Sequence, residues 1–410
     1  MVWKGGDNMK VIRTEQQRIK KSHPLWKVID EMCYHSKNLY NEANYTIRQE
    51  FISSGKYISY ASMNKEFKTH ENYKLCMSQP ANCTMRLLDK NWKSYFEAIK
   101  DYSKNPSKYL GKPKIPKYLK KDGRYIWEIP NNTCYIDGNE LHFRIRKLQS
   151  YKWFTQAKDR LIQVRFVPHS NFYMMEVVTE NEICNISTES KRIVSIDLGV
   201  DNFITMTNNI GVQPIIINGK GIKSINQFYN KQRAKMQSEL KRRHDKFTSK
   251  KFNIITEKRN ARIKNYMHCT SKFVVEYCKQ NNIDTLVCGI NKEWKQGSLM
   301  SKANNQKFIS IPYDTLIKQL EYKCQDYGIK FITTEESYTS GTSFLDGELP
   351  IKDNYDKSRR VQRGLFQAKK QLINSDVNGS LQILKKVFPD AFKECYGIEG
   401  ILTPVVINVA

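Results

Sequence analysis

Two acids stand where an acid is out of place. Asp197 interrupts the apolar run Ile-Val-Ser-Ile-Asp-Leu-Gly-Val. Asp376 lies in Asn-Ser-Asp-Val-Asn-Gly-Ser, just ahead of the apolar positions Leu381, Ile383, Leu384 and Val387. A carboxylate taken out of water is expensive unless something compensates it. One compensation is a divalent cation. Mg²⁺ prefers hard oxygen ligands, and a pair of such ions, roughly 3.5–4 Å apart, stabilises the attacking and leaving oxygens of a phosphodiester displacement. Each acid also has a purely structural reading: Asp197 as a strand-end residue bonding the turn at Gly199, and Asp376 as a helix N-cap.

Phosphodiester chemistry agrees with the charge. Lys and Arg total 68 against 41 acidic residues, a net charge of +27 over 410 residues. So large a surplus calls for a polyanion, and neutralised phosphates would supply most of the binding energy to nucleic acid. Hydrophobic residues make up 40%, enough for a normal core, and the length allows two or three domains. No run approaches the ~18 apolar residues of a membrane span, and the N-terminus lacks the apolar core of a signal peptide. The expected location is the cytosol. The 10 cysteines are scattered, none as Cys-x-x-Cys, so they are expected to be reduced and mostly buried.

The elements that must position the two acids follow from periodicity. A short strand is expected over 10–14. Helices are expected after His23-Pro24, where Trp26, Ile29, Cys33, Leu39, Tyr40, Ala43 and Ile47 recur at helical spacing, and over 82–102. Residues 103–124 differ: Pro106, Pro113 and Pro116 exclude a long helix, and lysines alternate with Tyr109 and Tyr118. Cations and aromatics on an extended backbone suit phosphates and stacked bases; the bland alternative is a solvated basic linker. Strands are expected over 125–129, 140–144, 161–167 and 173–178, the second after the turn signal Asp137-Gly138. Beyond a polar stretch near 185–191, strands alternate with helices: IVSIDLG, FITMTN and PIIING, a long basic helical region over 225–280, strand TLVCGI, a helix over 313–327, strand KFITTE and a helix over 378–387. The pattern divides at 190: a β-rich part with helices inserted over about 22–102, and an α/β part over 191–410.

VSIDLGVDNFITMTNN resembles the first RuvC motif of the TnpB (OrfB-type) proteins of bacterial insertion sequences, and NSDVNGSLQILKK resembles their third. Arg363-Gly-Leu-Phe precedes the latter as it does in many of these proteins. GINKEWKQG, IPYDTLIKQLEYKCQDYGI, ESYTSGTSF and, upstream, KYLGKPKIPKY also look like family segments. The resemblance is dense from Ile193 to the C-terminus and looser before it. It extends to the type V CRISPR effector nucleases and to the Fanzor nucleases. It implies a RuvC-like (RNase H-type) α/β nuclease domain over 191–410, and over 1–190 a β-barrel-like wedge domain with a helical recognition insertion. It also implies an RNA-guided endonuclease that cuts double-stranded DNA with Mg²⁺, Mn²⁺ substituting. The partners would be a guide RNA from the transposon end and a target bearing a short flanking motif. Base pairing would choose the sequence while the protein reads backbone shape. The residues expected on nucleic acid are Lys112, Lys114, Lys117, Tyr118, Lys120, Lys121, Arg242, Arg243 and Arg363.

Two departures matter. The family's second RuvC motif usually ends a strand like TLVCGI in Glu, and here Gly289 stands there. A variant group of TnpB proteins and the Fanzor nucleases resemble this chain in carrying that Glu just before a later Thr-Ser motif. By that analogy Glu336 joins Asp197 and Asp376 as catalytic and metal-binding residue. Glu335 is the rival, since neighbouring strand residues face opposite ways, and Glu293 the reserve. The zinc ribbon also departs: Ser343 and Asp346 occupy places where relatives have cysteine. The segment 339–370 is therefore expected to be a degenerate zinc-ribbon-like loop without zinc, held by packing and nucleic acid. Three other functions compete. A guided repressor without nuclease activity is mildly favoured by Gly289. A DDE-type transposase would need a late helical Glu that the Asp376 motif lacks. A Holliday-junction resolvase leaves the basic N-terminal half without a role.

Overall fold

The computed structural model of the protein describes residues 10–183, 186, 188, 190–244, 247–291, 309–392 and 399–409. Glu293 and most of GINKEWKQG lie outside them. Two compact units are present, Lys10–Glu182 and the described residues from Ile183 onward.

In the first unit β1 (Lys10–Lys20) is longer than the five residues expected, because all 11 of its residues pair antiparallel with a later strand. The helices are α1 (Trp26–Ser54), α2 (Tyr60–Phe67), α3 (Glu71–Cys76) and α4 (Ser78–Lys104). The middle two were not legible as separate helices, each being too short for a periodic signal. Strands β2 (Trp127–Pro130), β3 (Cys134–Asp137), β4 (Glu140–Phe143), β5 (Trp153–Phe154), β6 (Arg160–Pro168) and β7 (Phe172–Glu182) follow. They form two sheets among the described residues, β1-β7-β6-β2 and β3-β4-β5. One apolar core, including Trp92, Trp127 and Phe166, joins them to the helices.

The basic stretch between α4 and β2 is not a loose linker. One face of α1 carries Lys37, Asn41, Asn44 and Arg48, spaced at one helical turn. Lys37 Nζ donates to the Lys121 carbonyl (2.7 Å), Asn41 Nδ2 to that of Leu119 (2.9 Å), and Arg48 Nη1 to that of Pro116 (2.8 Å). The extended backbone is pinned while Lys112, Lys114, Lys117, Tyr118, Lys120 and Lys121 remain exposed.

The second unit is built on a six-stranded sheet. Its strands are β8 (Ile193–Leu198), β9 (Asn202–Asn208), β10 (Ile215–Asn218), β11 (Thr285–Ile290), β12 (Lys330–Glu335) and, past the short pair β13 (Leu365–Gln367) and β14 (Leu372–Asn374), β15 (Val405–Ile407). The order is β12-β11-β8-β9-β10-β15, with β8, β11 and β12 mutually parallel and β9 antiparallel to β8. The long basic helical region is two helices, α5 (Lys220–His244) and α6 (Lys250–Gln280). The break is legible in retrospect: Ser249 caps α6, accepting from Phe252 N at 3.1 Å. Helix α7 (Tyr313–Asp326) precedes β12. The last helix, α8 (Ser375–Val387), starts three residues earlier than expected.

Both faces of the sheet are covered, so its central strands read as near-continuous apolar runs. Alternation then sorts the side chains. Val194, Ile196, Leu286 and Cys288 pack with α6 and α7. Ile193 and Val287 pack with Ile383 and Leu384 of α8. Ser195 and Asp197, on the same parity as Ile193, must therefore face α8.

Candidate active site

Asp197 ends β8 on the α8 side of the sheet, where the strand runs out beneath the start of that helix. Its Oδ2 lies 3.0 Å from where a Cβ on Gly379 would stand. The glycine of Asn-Ser-Asp-Val-Asn-Gly thus makes room for the carboxylate. Asp376 enters from the first turn of α8. It is not the N-cap: Asn374 Oδ1 takes that role, accepting from Asp376 N (2.9 Å) and Val377 N (3.2 Å). The Asp376 side chain is left free of capping and is held instead by Asn202 Nδ2 on Oδ2 (2.7 Å) and Arg360 Nη2 near Oδ1 (3.5 Å). Asn378, the second Asn of the motif, is structural. It accepts from Phe344 N (3.0 Å) and donates to the Thr342 carbonyl (2.8 Å), tying the Thr-Ser loop to α8.

Glu336 arrives from the end of β12. Its amide donates to the Ile290 carbonyl at 3.2 Å, extending the parallel pairing of β11 and β12 by one step. Its side chain fills the space over Gly289: a Cβ there would meet Glu336 Cγ and Oε1 at 2.8 Å and Ile383 Cδ1 at 2.5 Å. The absence of a side chain at this position of β11 leaves the space that the Glu336 side chain fills. Glu335 points to the other side, exposed and accepting from Ser337 Oγ at 2.7 Å.

Asp197, Glu336 and Asp376 line one cavity of about 230 Å³, together with Asn202, Thr205, Asn291 and Arg360. Asp197 is enclosed by protein but opens on the cavity. Burial and then the negative charge of Asp376 push its carboxyl well above the usual carboxylate range, Arg360 partly offsetting them. Burial and then Asp197 raise Glu336 likewise, with Lys386 opposing. Lys386 also donates to the carbonyls of Glu335 (2.9 Å) and Ser337 (3.1 Å), fixing the backbone on either side of Glu336. Glu336 Oε1 is buried without a hydrogen-bond partner among the described residues. An acid cluster only partly offset by Arg360 and Lys386, with an orphaned buried oxygen, fits a divalent cation, and three carboxylates are the hard donor set that Mg²⁺ or Mn²⁺ prefers. Among the described residues no three such side chains are already spaced to enclose a single ion; the acids share the cavity rather than one point.

Sequence reasoning missed Asn202, Thr205, Asn291, Arg360, Gly379 and Lys386. Most carried a local signal, since Asn202 and Thr205 lie within the first motif, Gly379 and Lys386 within the third and Asn291 within GINKEWKQG; Arg360 lies in none of the quoted segments. The expected nucleic-acid residues are spread over both units. Arg242 and Arg243 are exposed on α5, and Arg363, also exposed, pairs with Asp201. The loop over 339–370 is packed through Phe344, Leu345 and Phe366, and a network of charged contacts holds it as well. Arg359 bonds Asp346 and both oxygens of Glu348 (2.8 and 2.9 Å), and its Nε donates to the Gln367 carbonyl at 3.0 Å. Ser343 Oγ accepts from Asp346 N at 3.2 Å. Arg359 gathers the segment around itself. Eight cysteines among the described residues are free thiols, and no helix there is long and apolar enough to cross a membrane.

The chain is similar to several known proteins. Residues 174–295 match the OrfB_IS605 family, described as "Probable transposase", and residues 313–383 match the Cas12f1-like TNB domain. The TnpB-like protein ORF457 of Acidianus two-tailed virus is 22% identical over 391 residues, covering 86% of this chain and 81% of the relative. Among solved structures, the Cas12f1–sgRNA–target DNA complex aligns with TM-score 0.54 at 16% identity, over 87% of this chain and 82% of that one. The mini-RNA-guided endonuclease Cas_phi3 aligns with TM-score 0.47 at 9% identity, over 92% of each chain.

Proposed function

From the premise that this chain is related to the TnpB proteins and the type V effectors, we propose that it is an RNA-guided DNA endonuclease of an insertion sequence. In this reading 191–410 is a RuvC-like domain and 1–190 a wedge domain with a helical recognition insertion. It cuts double-stranded DNA by hydrolysing phosphodiesters at Asp197, Glu336 and Asp376. One observation carries the proposal: three acids from three separate elements converge on one cavity, at a cost in desolvation and repulsion that a structural role does not repay. The mixed sheet covered by helices on both faces supports the RuvC-like reading.

The chain's own residues divide the work. Asp197, at the centre, and Asp376, oriented by Asn202, would hold Mg²⁺ with Glu336. When bound, the ions supply charge stabilisation to the attacking water and the leaving oxygen. Arg360 places a cation at the rim, where a phosphate oxygen can be met. The exposed lysines of 112–121, on a backbone already pinned to α1, suit a nucleic-acid backbone, as do Arg242, Arg243 and Arg363. Guide RNA and target DNA are the proposed partners, and zinc has no proposed role. The guided-repressor reading loses its motive, because the acid missing at Gly289 is replaced in space by Glu336.

The test is expression with native flanking DNA, sequencing of the copurified RNA, and cleavage of a matching target with Mg²⁺. A discrete structured RNA and guide-dependent cutting are expected. Random RNA fragments, or a wild type that never cuts with guide and Mg²⁺ supplied, would overturn the proposal.

A further inference from the structure

One polar group in the carboxylate cavity has no role so far. Thr205 stands on β9 directly across from Asp197 on β8 and lines the same cavity. It is 1% exposed, and its Oγ1 has no hydrogen-bond partner among the described residues. The same sheet face shows what a structural hydroxyl does there. Ser195 Oγ donates to the Ser380 carbonyl at 2.7 Å and lies 2.8 Å from Thr207 Oγ1, which lies 2.9 Å from Ser380 Oγ. Those three hydroxyls satisfy one another where α8 covers the sheet. Thr205 is the next hydroxyl on that face, two residues before Thr207, and no atom of the described residues completes it.

A buried hydroxyl without a partner is unfavourable, and valine would fill nearly the same volume without that cost. A polar cavity large enough for solvent offers the missing partner. We propose that the Thr205 hydroxyl holds a water against Asp197 in the carboxylate cavity and is a positioning residue for phosphodiester hydrolysis. The inference rests on the nuclease reading of that cavity. A hydroxyl carries one donor and two acceptor sites, so Thr205 can fix the orientation of a water whose other contacts are the carboxylates. No bond forms or breaks at Thr205 itself.

The experiment compares Thr205→Val, Thr205→Ser and Asp197→Asn in the full chain with its copurified RNA. The readouts are metal-free melting temperature, Mg²⁺ binding by calorimetry, and single-turnover cleavage. Thr205→Val is expected to melt at or above the wild-type temperature without metal, because no protein hydrogen bond is lost. At saturating Mg²⁺ it should cut about tenfold more slowly, the effect of one hydrogen bond, and Thr205→Ser should restore the rate. A merely structural threonine would instead lower melting and cleavage together. Wild-type cutting by Thr205→Val overturns the inference. So does a Thr205→Val that melts lower or fails to fold, since the hydroxyl would then have a protein partner. Asp197→Asn separates the two levels. If it cuts and binds Mg²⁺ normally, the reading of this cavity as the cleavage site fails; if the wild type itself never cuts, the nuclease reading fails. If it is inactive while Thr205→Val is unaffected, only the role of Thr205 fails.

Discussion

Gly289→Ala tests the packing on which the candidate site depends. The new Cβ would stand 2.5 Å from Ile383 Cδ1 and 2.8 Å from Glu336 Cγ and Oε1, against an optimum of about 3.5–4.0 Å for carbon contacts. Something must move by roughly 1 Å. Ile383 is fully buried in the core beneath α8, so the Glu336 side chain is the part that can yield. Overpacking of this kind costs about 1–3 kcal/mol. For a domain of this size, 1 kcal/mol is worth about 2–4 °C, so melting should fall by roughly 2–12 °C. Cleavage should fall further, by about 100-fold, because a 1 Å displacement of a reacting group has that effect. The assay is a double-mutant cycle with Glu336→Gly, read by thermal melting and single-turnover cleavage. Glu336→Gly removes two of the three clashes, so the stability effects should be non-additive by about 1 kcal/mol or more. Strictly additive melting shifts, or wild-type cutting by Gly289→Ala, would refute the argument that this glycine is the space Glu336 occupies.

Three further outcomes are expected. Glu336→Gln should abolish cutting by losing charge while keeping shape, whereas Glu335→Gln should cut normally; the reverse pattern in a cleavage assay would reassign the acid. Asp197 has a folded-state pKa raised above its unfolded value, so its contribution to stability is present below about pH 4 and is lost as pH rises through the folded value. Metal-free Asp197→Asn should therefore melt higher than wild type at pH 8, with the gap closing toward pH 4, as scanning fluorimetry in chelator can check. Arg359→Met should loosen the loop over 339–370, because it strands Asp346 and Glu348 without their partner. A loss of about 3 kcal/mol, with faster proteolysis of that loop and no response of the wild type to zinc chelators, is expected; an unchanged cleavage pattern for Arg359→Met would count against it.

Some of this was legible in the chain because it is local. The run at 193–199 reads as a buried strand, since Ile, Val and Leu on both parities mean helices on both faces. The prolines at 113 and 116 exclude a helix wherever that segment packs. Other elements were read short. Gln16 and Gln17 do not look like strand residues, yet β1 continues through them because β7 offers an unbroken partner. The start of α8 was placed late because Asp376 and Asn374 are both competent caps, and only the geometry gives the role to Asn374. Strand β3 escaped although its turn at Asp137-Gly138 was seen; its antiparallel pairing with β4 is what defines it.

By itself the sequence determined the charge, the alternating strands and helices of the second half, and the presence of two acids in apolar surroundings. Those depend on residue types and near-neighbour spacing, which chain order preserves. The resemblance to the variant TnpB and Fanzor arrangement limited the third acid to Glu336, Glu335 and Glu293, and strand alternation put the first two on opposite sides. Which of them faces the cavity was decided only by tertiary structure. The parallel register sets Gly289 beside Thr334 and Ile290 beside Glu335, so the next residue, Glu336, folds over the one position that has no side chain. That register comes from pairing across the sheet and from α8 packing on one face of it. Interactions between residues dozens of positions apart choose which side of a strand is inside, and no local pattern carries that choice.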